Sequence, residues 1–133
     1  MQADTEVKQV LETIARGLTA GDGKAVAKHW AMPAFVLGDS MAMPISSLDE
    51  VAKFMGGAKA QYQKMGITDT RPEIQKLEWI TDKIAVADVR WPYLDEAGTE
   101  KGAESSIYTL VRDESGELKV RSVVMRGVEK AGA

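Results

Sequence analysis

Two side chains in this sequence could perform acid–base chemistry. Asp39 lies in a Gly-Asp-Ser sequence just after a short apolar run, and a carboxylate in a poorly solvated site has a raised pKa suited to a general base. Tyr108 shares the face of a predicted strand with Ser106 and Glu104. A phenol that faces a cavity can donate a hydrogen bond to a carbonyl oxygen or an oxyanion. Asp39 and Tyr108 are therefore the candidate catalytic residues.

Each candidate also has a purely structural interpretation. Gly, Asp and Ser are typical of turns for backbone reasons, so Asp39 could simply belong to a turn. Tyr108 could be a core tyrosine whose hydroxyl reaches the rim of the core. His29 is the only histidine, and it could shuttle protons. A lone histidine in an apolar pattern is more often a core residue, which is the interpretation that we favour for His29.

The aromatic residues predict either a ligand pocket or a plain core. Ligand pockets are lined mainly by apolar and aromatic side chains with a few polar groups, and the aromatic residues of this chain occur on several predicted elements. Beside the two catalytic candidates, the candidate pocket residues are Trp30, Phe35, Tyr62, Trp91, Tyr93 and Ser122.

Composition excludes several functional classes. A chain of 133 residues with 44% hydrophobic and 28% charged residues is expected to form one globular domain. Cysteine is absent, which excludes disulfides, thiol catalysis and thiolate metal sites, and one histidine cannot form a usual zinc site. We therefore expect no metal and no cofactor.

Charge and hydropathy argue against two kinds of partner. The net charge is −3, with no basic stripe to neutralise phosphates, so we expect no nucleic acid. No apolar run approaches the roughly 20 residues of a membrane span, so we expect no membrane contact. No signal peptide is visible at the N-terminus, and a cytoplasmic location is expected.

Helical spacing predicts two helices at the start of the chain. An apolar stripe over residues 7–18 indicates the first helix, for which Asp4 is the expected N-cap. Asp22 is expected to cap a short second helix that Pro33 ends.

A third helix is predicted after a capping box. Ser47 and Glu50 have the spacing at which each side chain satisfies a free backbone N–H of the first turn, and the apolar pattern continues to Met65. Gly56 and Gly57 interrupt this pattern, which indicates a bend or the close approach of another backbone.

The second half of the chain predicts a meander of antiparallel strands. Residues 41–45 could pair back on a short strand at 34–37. A bulge is expected at Gln75-Lys76, because Ile74 and Leu77 do not alternate in phase. The four strands of the meander are expected at about residues 72–81, 83–94, 103–112 and 118–127. Helices followed by such a meander predict an α+β fold.

This order of elements resembles the NTF2-like superfamily, which includes ketosteroid isomerase and the SnoaL-like polyketide cyclases. The matching segments are VLETIARGLTAGDGKAVAKHW, HWAMPAFVLGDS, IAVADVRWPYLDEAG and SSIYTLVRDESGELKVRSVV. The resemblance covers about residues 4–128. Within the superfamily, the sheet segments are most similar to those of uncharacterised bacterial members. It implies a cone in which three N-terminal helices pack on a curved antiparallel sheet around a pocket.

The resemblance does not carry over the steroid isomerase machinery. The position of the phenol falls at Ile14, which cannot donate a hydrogen bond. The position of the carboxylate base falls at or beside Gly38, next to Asp39, and the position of the protonated acid falls near Tyr108. Steroid-type isomerisation is therefore not expected of this chain.

Two functions follow from these observations. In the first, the protein binds a small apolar or carbonyl-containing ligand in its pocket, with cofactor-free acid–base chemistry by Asp39 and Tyr108 as an extension. In the second, it is a non-catalytic interaction module whose pocket is filled by side chains. In both, we expect a homodimer through the outer face of the sheet, where we place the apolar residues Ile84, Val86, Ile107 and Val123.

Overall fold

The computed structural model describes residues 2–130, which form four helical segments packed against a seven-stranded sheet. The elements are α1 (Gln2–Ala20), α2 (Gly23–Ala27), β1 (Trp30–Gly38), β2 (Met41–Ile45), α3 (Leu48–Gly56), α4 (Ala58–Lys64), β3 (Asp69–Thr70), β4 (Glu73–Trp79), β5 (Ile84–Leu94), β6 (Glu100–Arg112) and β7 (Leu118–Lys130). The sheet has the order β2-β1-β7-β6-β5-β3, and β4 also pairs with β5. The α+β fold is thus confirmed.

Two predicted helix caps are present. Asp22 accepts a hydrogen bond from the backbone N–H of Ala25 at 3.1 Å, and the hydroxyl of Ser47 accepts one from the backbone N–H of Glu50 at 3.3 Å. The capping box is only half formed, because the carboxylate of Glu50 accepts from the hydroxyl of Ser46 at 2.8 Å instead of reaching the backbone of Ser47. These caps fix where α2 and α3 begin.

The predicted bounds of the first two helices are wrong in detail. Helix α1 already begins at Gln2, so Asp4 lies within its first turn. The carboxylate of Asp4 accepts a hydrogen bond from the indole of Trp79 at 3.2 Å, which fastens α1 to β4. Helix α2 ends at Ala27 rather than at Pro33, because the chain is already extended and paired with β7 from Trp30 onward.

The predicted third helix is divided at Gly57 into α3 and α4. A side chain added at Gly57 would meet no atom within 4 Å, so this glycine marks a bend, which is one of the two predicted alternatives. The close approach of two backbones occurs at Gly23, where an added Cβ would lie 2.1 Å from the carbonyl oxygen of Ala52. Helices α2 and α3 are therefore in direct backbone contact.

The sheet contains the predicted meander and one pairing that was not predicted. Strands β4 to β7 pair antiparallel in chain order, with the expected bulge at Gln75, and β1 forms a hairpin with β2. In addition, β1 lies parallel to β7, with Phe35 opposite Ser122 and Val36 opposite Val123. This pairing attaches the first hairpin to the end of the meander.

A bulge in β7 changes which side chains face the helices. Thr109 pairs with Ser122, whereas the next residue, Leu110, pairs with Val120. Arg121 is therefore an extra residue, and the alternation of faces shifts by one after it. The interior of the fold contains the buried side chains of Val7, Leu11, Trp30, Val36, Val51, Val89, Leu110, Val120 and Val123. None of the helices within residues 2–130 combines the length and hydropathy needed to cross a membrane.

Candidate functional site

A partly open cavity of about 220 Å³ lies between the helices and the inner face of the sheet. This volume corresponds to roughly seven water molecules at liquid density. Most of the wall is apolar, and the polar groups come from one region of β5, β6 and α4. The lining residues are Ile14, Leu18, Trp30, Val36, Phe54, Met55, Ala58, Tyr62, Tyr93, Glu104, Ser106, Tyr108, Val123 and Met125.

Strand alternation positions the polar wall of the cavity. Glu104, Ser106 and Tyr108 are alternate residues of β6, so their side chains leave the strand on the same inner face. Tyr93 comes from the neighbouring strand β5, and Tyr62 comes from α4, with the two rings 5.7 Å apart between centroids. One carboxyl, one hydroxyl and three phenols thus border a mainly apolar space.

The carboxyl group of Glu104 lies in surroundings that differ from water and change its pKa. Its Oε1 accepts a hydrogen bond from the hydroxyl of Ser106, and Trp91 lies directly opposite it on β5. Burial raises the pKa of Glu104 above its ordinary value of 4.5, and the hydrogen bond from Ser106 offsets part of this increase. The neutral carboxylic acid is therefore favoured relative to a solvated glutamate.

The three tyrosines of the cavity stay protonated at neutral pH. Burial raises the pKa of Tyr62 to about 12, and the nearby Glu104 adds to the effect. Burial likewise raises the pKa of Tyr93 above its ordinary value of 10.0 and that of Tyr108 well above it. Each phenol is thus a hydrogen-bond donor and not a proton-accepting base in the physiological range.

Two buried indoles contribute to the same region. Trp30 lines the cavity, and its Nε1 has no hydrogen-bond partner among the described residues. Trp91 packs edge-to-face on Tyr108 with the ring centroids 6.0 Å apart. The Nε1 of Trp91 makes no hydrogen bond of ordinary geometry within residues 2–130. It is nevertheless near enough to the Tyr108 hydroxyl to lower the pKa of that phenol against the larger effect of burial.

The structure brings together some of the predicted pocket residues and separates others. Trp30, Tyr62, Tyr93 and Tyr108 line the cavity together, and Trp91 packs behind Tyr108 instead of lining it.

The prediction that Phe35 and Ser122 line the pocket is wrong. The two residues pair with each other on the outer face of the sheet, where Phe35 is 40% exposed. Phe35 follows the buried Ala34 and precedes Val36, so its side chain leaves the opposite face of β1. Ser122 follows the bulge residue Arg121, which reverses the face that was expected for it. The same shift moves Val123, predicted on the outer face, into the cavity wall.

Asp39 lies at the turn between β1 and β2, where it is exposed. It does not border the cavity but an adjoining open cleft, which Glu104, Met125 and Arg126 also border. Glu104 is the carboxyl that borders both spaces. Asp39 thus stands outside the cavity, and its catalytic role stays a prediction.

Glu104 is the residue that sequence reasoning underrated. Its position on the face of Tyr108 follows from the alternation in the segment from Glu104 to Tyr108, yet the sequence pattern favours Asp39 as the general base. The available signal was a carboxylate, a hydroxyl and a phenol at i, i+2 and i+4 of one strand. What the sequence did not contain was the depth at which this face is buried.

His29 lies apart from the cavity. It borders a surface groove with Glu6, Gln9 and Thr13, and it is only half-buried, so the expected core position is wrong. Partial burial lowers its pKa, with Glu117 opposing the change. Among the described residues, no three His, Asp or Glu side chains converge as a metal site would require.

Comparison with known proteins identifies relatives by fold. A family model described as NTF2-like protein (DUF6841) matches residues 5–128. None of the curated proteins is significantly similar to this sequence.

Three solved structures illustrate the similarity. One is a domain of unknown function with a cystatin-like fold from Nostoc punctiforme (13% identity, TM-score 0.73, covering 93% of this chain and 76% of that one). The second is an NTF-2 like protein of unknown function from Shewanella oneidensis (12% identity, TM-score 0.69, covering 95% of this chain and 99% of that one). The third is an NTF-2 like protein of unknown function from Silicibacter pomeroyi (20% identity, TM-score 0.68, covering 95% of this chain and 96% of that one). Identities this low show a shared fold and nothing about a ligand.

Proposed function

Because this chain belongs to the NTF2-like family DUF6841, we propose that it uses the cavity of this fold to bind a small, mainly apolar molecule. The observation that carries the proposal is the cavity itself, whose mainly apolar wall includes one half-buried carboxyl group, that of Glu104. A site that is mostly apolar with a few placed polar groups is the usual composition of a small-molecule pocket. The volume of about 220 Å³ selects ligands of roughly one ring.

The polar group of such a ligand would meet hydrogen-bond donors. The phenol of Tyr108 and the indole N–H of Trp30 both border the cavity, and the indole N–H has no hydrogen-bond partner among the described residues. Neutral Glu104 adds a third donor. A carbonyl oxygen accepts hydrogen bonds from such groups, so carbonyl-containing compounds are the first class that we propose.

A more specific proposal is that the cavity carries out acid–base chemistry on the bound ligand. A carboxyl group whose pKa is raised by burial is better suited to giving and taking a proton than a solvated carboxyl group is. Glu104 has this property and lies beside the donor Tyr108. We therefore assign the acid–base role to Glu104 rather than to the exposed Asp39, with Tyr108 polarising a carbonyl oxygen and with no cofactor.

The cavity can be blocked from the sheet side. Val123 is buried on β7 and lines the cavity, so Val123→Phe should fill part of the space. We expect the affinity for cyclohexanone, used as a one-ring carbonyl probe, to fall about ten-fold or more, or at least 1.4 kcal/mol. Titration followed by two-dimensional NMR measures this change.

The matched control adds a phenyl ring elsewhere. Ile80 is 56% exposed in the turn after β4, and Ile80→Phe should leave cyclohexanone binding unchanged. Unchanged binding in a folded Val123→Phe protein, or no binding by the wild type, would reject the cavity as the binding site.

Dimerisation through the outer face of the sheet is a second proposal, and it keeps the interaction-module alternative open. Phe35, Leu37 and Val124 are between 37% and 41% exposed. They are cross-strand neighbours, because Leu37 pairs with Val124 and Phe35 lies two residues before Leu37 on β1. Val86 and Ile107 extend this apolar surface over β5 and β6. A contiguous apolar surface of this kind favours an interface.

Leu37→Glu should dissociate such a dimer. A charge placed in an apolar interface without a partner is costly, so we expect the dimer dissociation constant to rise about ten-fold or more. Leu48→Glu is the control, since Leu48 is 46% exposed at the start of α3, on the helical side of the sheet. Sedimentation velocity checks both variants, and a wild-type protein that is monomeric at micromolar concentration would refute the interface.

A further inference from the structure

The charged groups at the cavity are unbalanced. Among the described residues that line the cavity, Glu104 is the only one with a carboxyl group, and none is Lys, Arg or His. The carboxyl group has one hydrogen bond, from Ser106. When Glu104 ionises, the described residues that line the cavity therefore supply no positive charge to balance it.

Among the side chains that the structure describes, the elements around Glu104 offer no hidden counter-ion. Helices α1 and α3 present only apolar side chains to the cavity, and the titratable groups from α4, β5 and β6 are the three tyrosines. On β7, Arg126 borders the outer cleft, but its guanidinium binds Asp88 at 3.1 Å. The other charged residue described at this cleft is Asp39, whose negative charge cannot balance that of Glu104.

Aromatic side chains lie around the carboxyl group of Glu104. Trp91 lies directly opposite Glu104 on β5 and packs on Tyr108. Tyr93, two residues after Trp91 on the same strand, contacts Tyr62 with centroids 5.7 Å apart. The faces of such rings attract cations, and sites built from several rings bind alkylated ammonium groups.

We infer that the cavity also binds small alkylammonium ions, with Glu104 as the counter-ion and the tyrosine rings around the charged nitrogen. The inference rests on the proposed function, because it uses the same cavity. An ammonium group would give ionised Glu104 the missing positive charge, and a charge-assisted hydrogen bond is about twice as strong as a neutral one. The apolar walls would hold the hydrocarbon part of the ligand.

Three probes of one size separate the ligand classes. Cyclohexylamine is a cation at neutral pH, cyclohexanone is neutral, and cyclohexanecarboxylate is an anion. We expect cyclohexylamine to bind wild-type protein about ten-fold more tightly than the Glu104→Gln variant, since only the wild type has a counter-ion. Cyclohexanone should bind both proteins within about three-fold, because glutamine keeps a donor, and the carboxylate should prefer the variant.

A pH series on the wild-type protein tests the inference without any substitution. Cyclohexylamine affinity should rise between pH 5 and pH 8 as Glu104 ionises, while the amine stays protonated, and it should stay flat in Glu104→Gln. Equal cyclohexylamine affinity in the two proteins, or a wild-type affinity that does not change with pH, would overturn the inference. The proposed function would still stand in that case if cyclohexanone binds. Failure of all three probes to bind would overturn both.

Discussion

Replacing Gly23 with alanine is expected to destabilise this protein by about 3 kcal/mol or more, because the new Cβ has no room. It would lie 2.1 Å from the carbonyl oxygen and 2.9 Å from the carbonyl carbon of Ala52. Both atoms belong to the backbone of α3, so a side-chain rotation cannot relieve the overlap. The two helices would have to separate, and a domain of this size has only about 5–15 kcal/mol of total stability.

Gly57→Ala is the matched control for this substitution. Gly57 is exposed between α3 and α4, its φ of −80° suits any residue, and an added Cβ meets nothing within 4 Å. Alanine there should leave stability unchanged or raise it by about 0.4–1 kcal/mol through the unfolded chain. Urea unfolding followed by circular dichroism compares the two variants. A Gly23→Ala protein within 1 kcal/mol of the wild type would show that α2 and α3 are not in backbone contact.

The contact at Gly23 also bears on the candidate site. Helix α3 carries Phe54 and Met55, which line the cavity on the side opposite the sheet. Any outward movement of α3 would widen the cavity and expose its walls to water. The position of one glycine, far from the polar groups in the chain, therefore contributes to the shape of the pocket.

Features that depend on a few neighbouring residues could be predicted from the sequence. The cap at Asp22, the start of α3 at Ser47 and the bulge at Gln75 are all encoded within four residues of the chain, and each was found. The order of the four meander strands was also predictable, because short turns between alternating segments leave antiparallel pairing of neighbours as the simplest arrangement.

Features that depend on pairing between distant segments could not be predicted in the same way. The bulge at Arg121 lies where β7 pairs with β6 on one side and with β1 on the other. No local signal distinguishes Ser122 from Val123 as the inward residue, since both fit a strand. The parallel pairing of β1 with β7 joins residues more than 80 positions apart, which a local pattern does not specify.

The candidate site shows the same division. Alternation identified the face of β6 that carries Glu104, Ser106 and Tyr108, and this face does border the cavity. Which carboxylate is withdrawn from water depends on the packing of helices over that face, and a local sequence pattern contains no measure of this packing. Asp39 fits the role by its place after a strand end and by the family resemblance, and neither of these depends on burial.

Replacing Glu104 with glutamine is expected to stabilise the protein at neutral and alkaline pH but not at pH 4. Burial raises the pKa of Glu104 in the folded protein above its ordinary value of 4.5, so the folded state binds this proton more tightly than the unfolded state. The free energy of unfolding therefore falls as the pH rises from about 4.5 through the raised pKa. Glutamine is neutral at every pH and removes this loss.

Other carboxyl groups change stability in the opposite direction without obscuring the effect. The hydrogen bond from Ser115 is the main cause that lowers the pKa of Asp113 to about 2, so its contribution is lost only as the pH falls below the ordinary range of aspartate. The hydrogen bond from Arg90 lowers the pKa of Glu100 in the same way. The contribution of Glu100 to stability is therefore also lost only at acidic pH. Both residues are present in wild type and variant, so the difference between the two proteins isolates Glu104.

Thermal unfolding from pH 4 to pH 8 measures this difference. The two melting temperatures should agree at pH 4 and separate progressively above it, with the variant higher by about 4 °C for each kcal/mol that ionised Glu104 costs. Glu73→Gln is a suitable control, because Glu73 pairs with Arg90 on the outer face at 3.1 Å and its loss should not stabilise the protein at any pH. A wild-type curve parallel to that of Glu104→Gln across the series would mean that water solvates the carboxyl group. The cavity would then lack the poorly solvated acid on which its proposed chemistry depends.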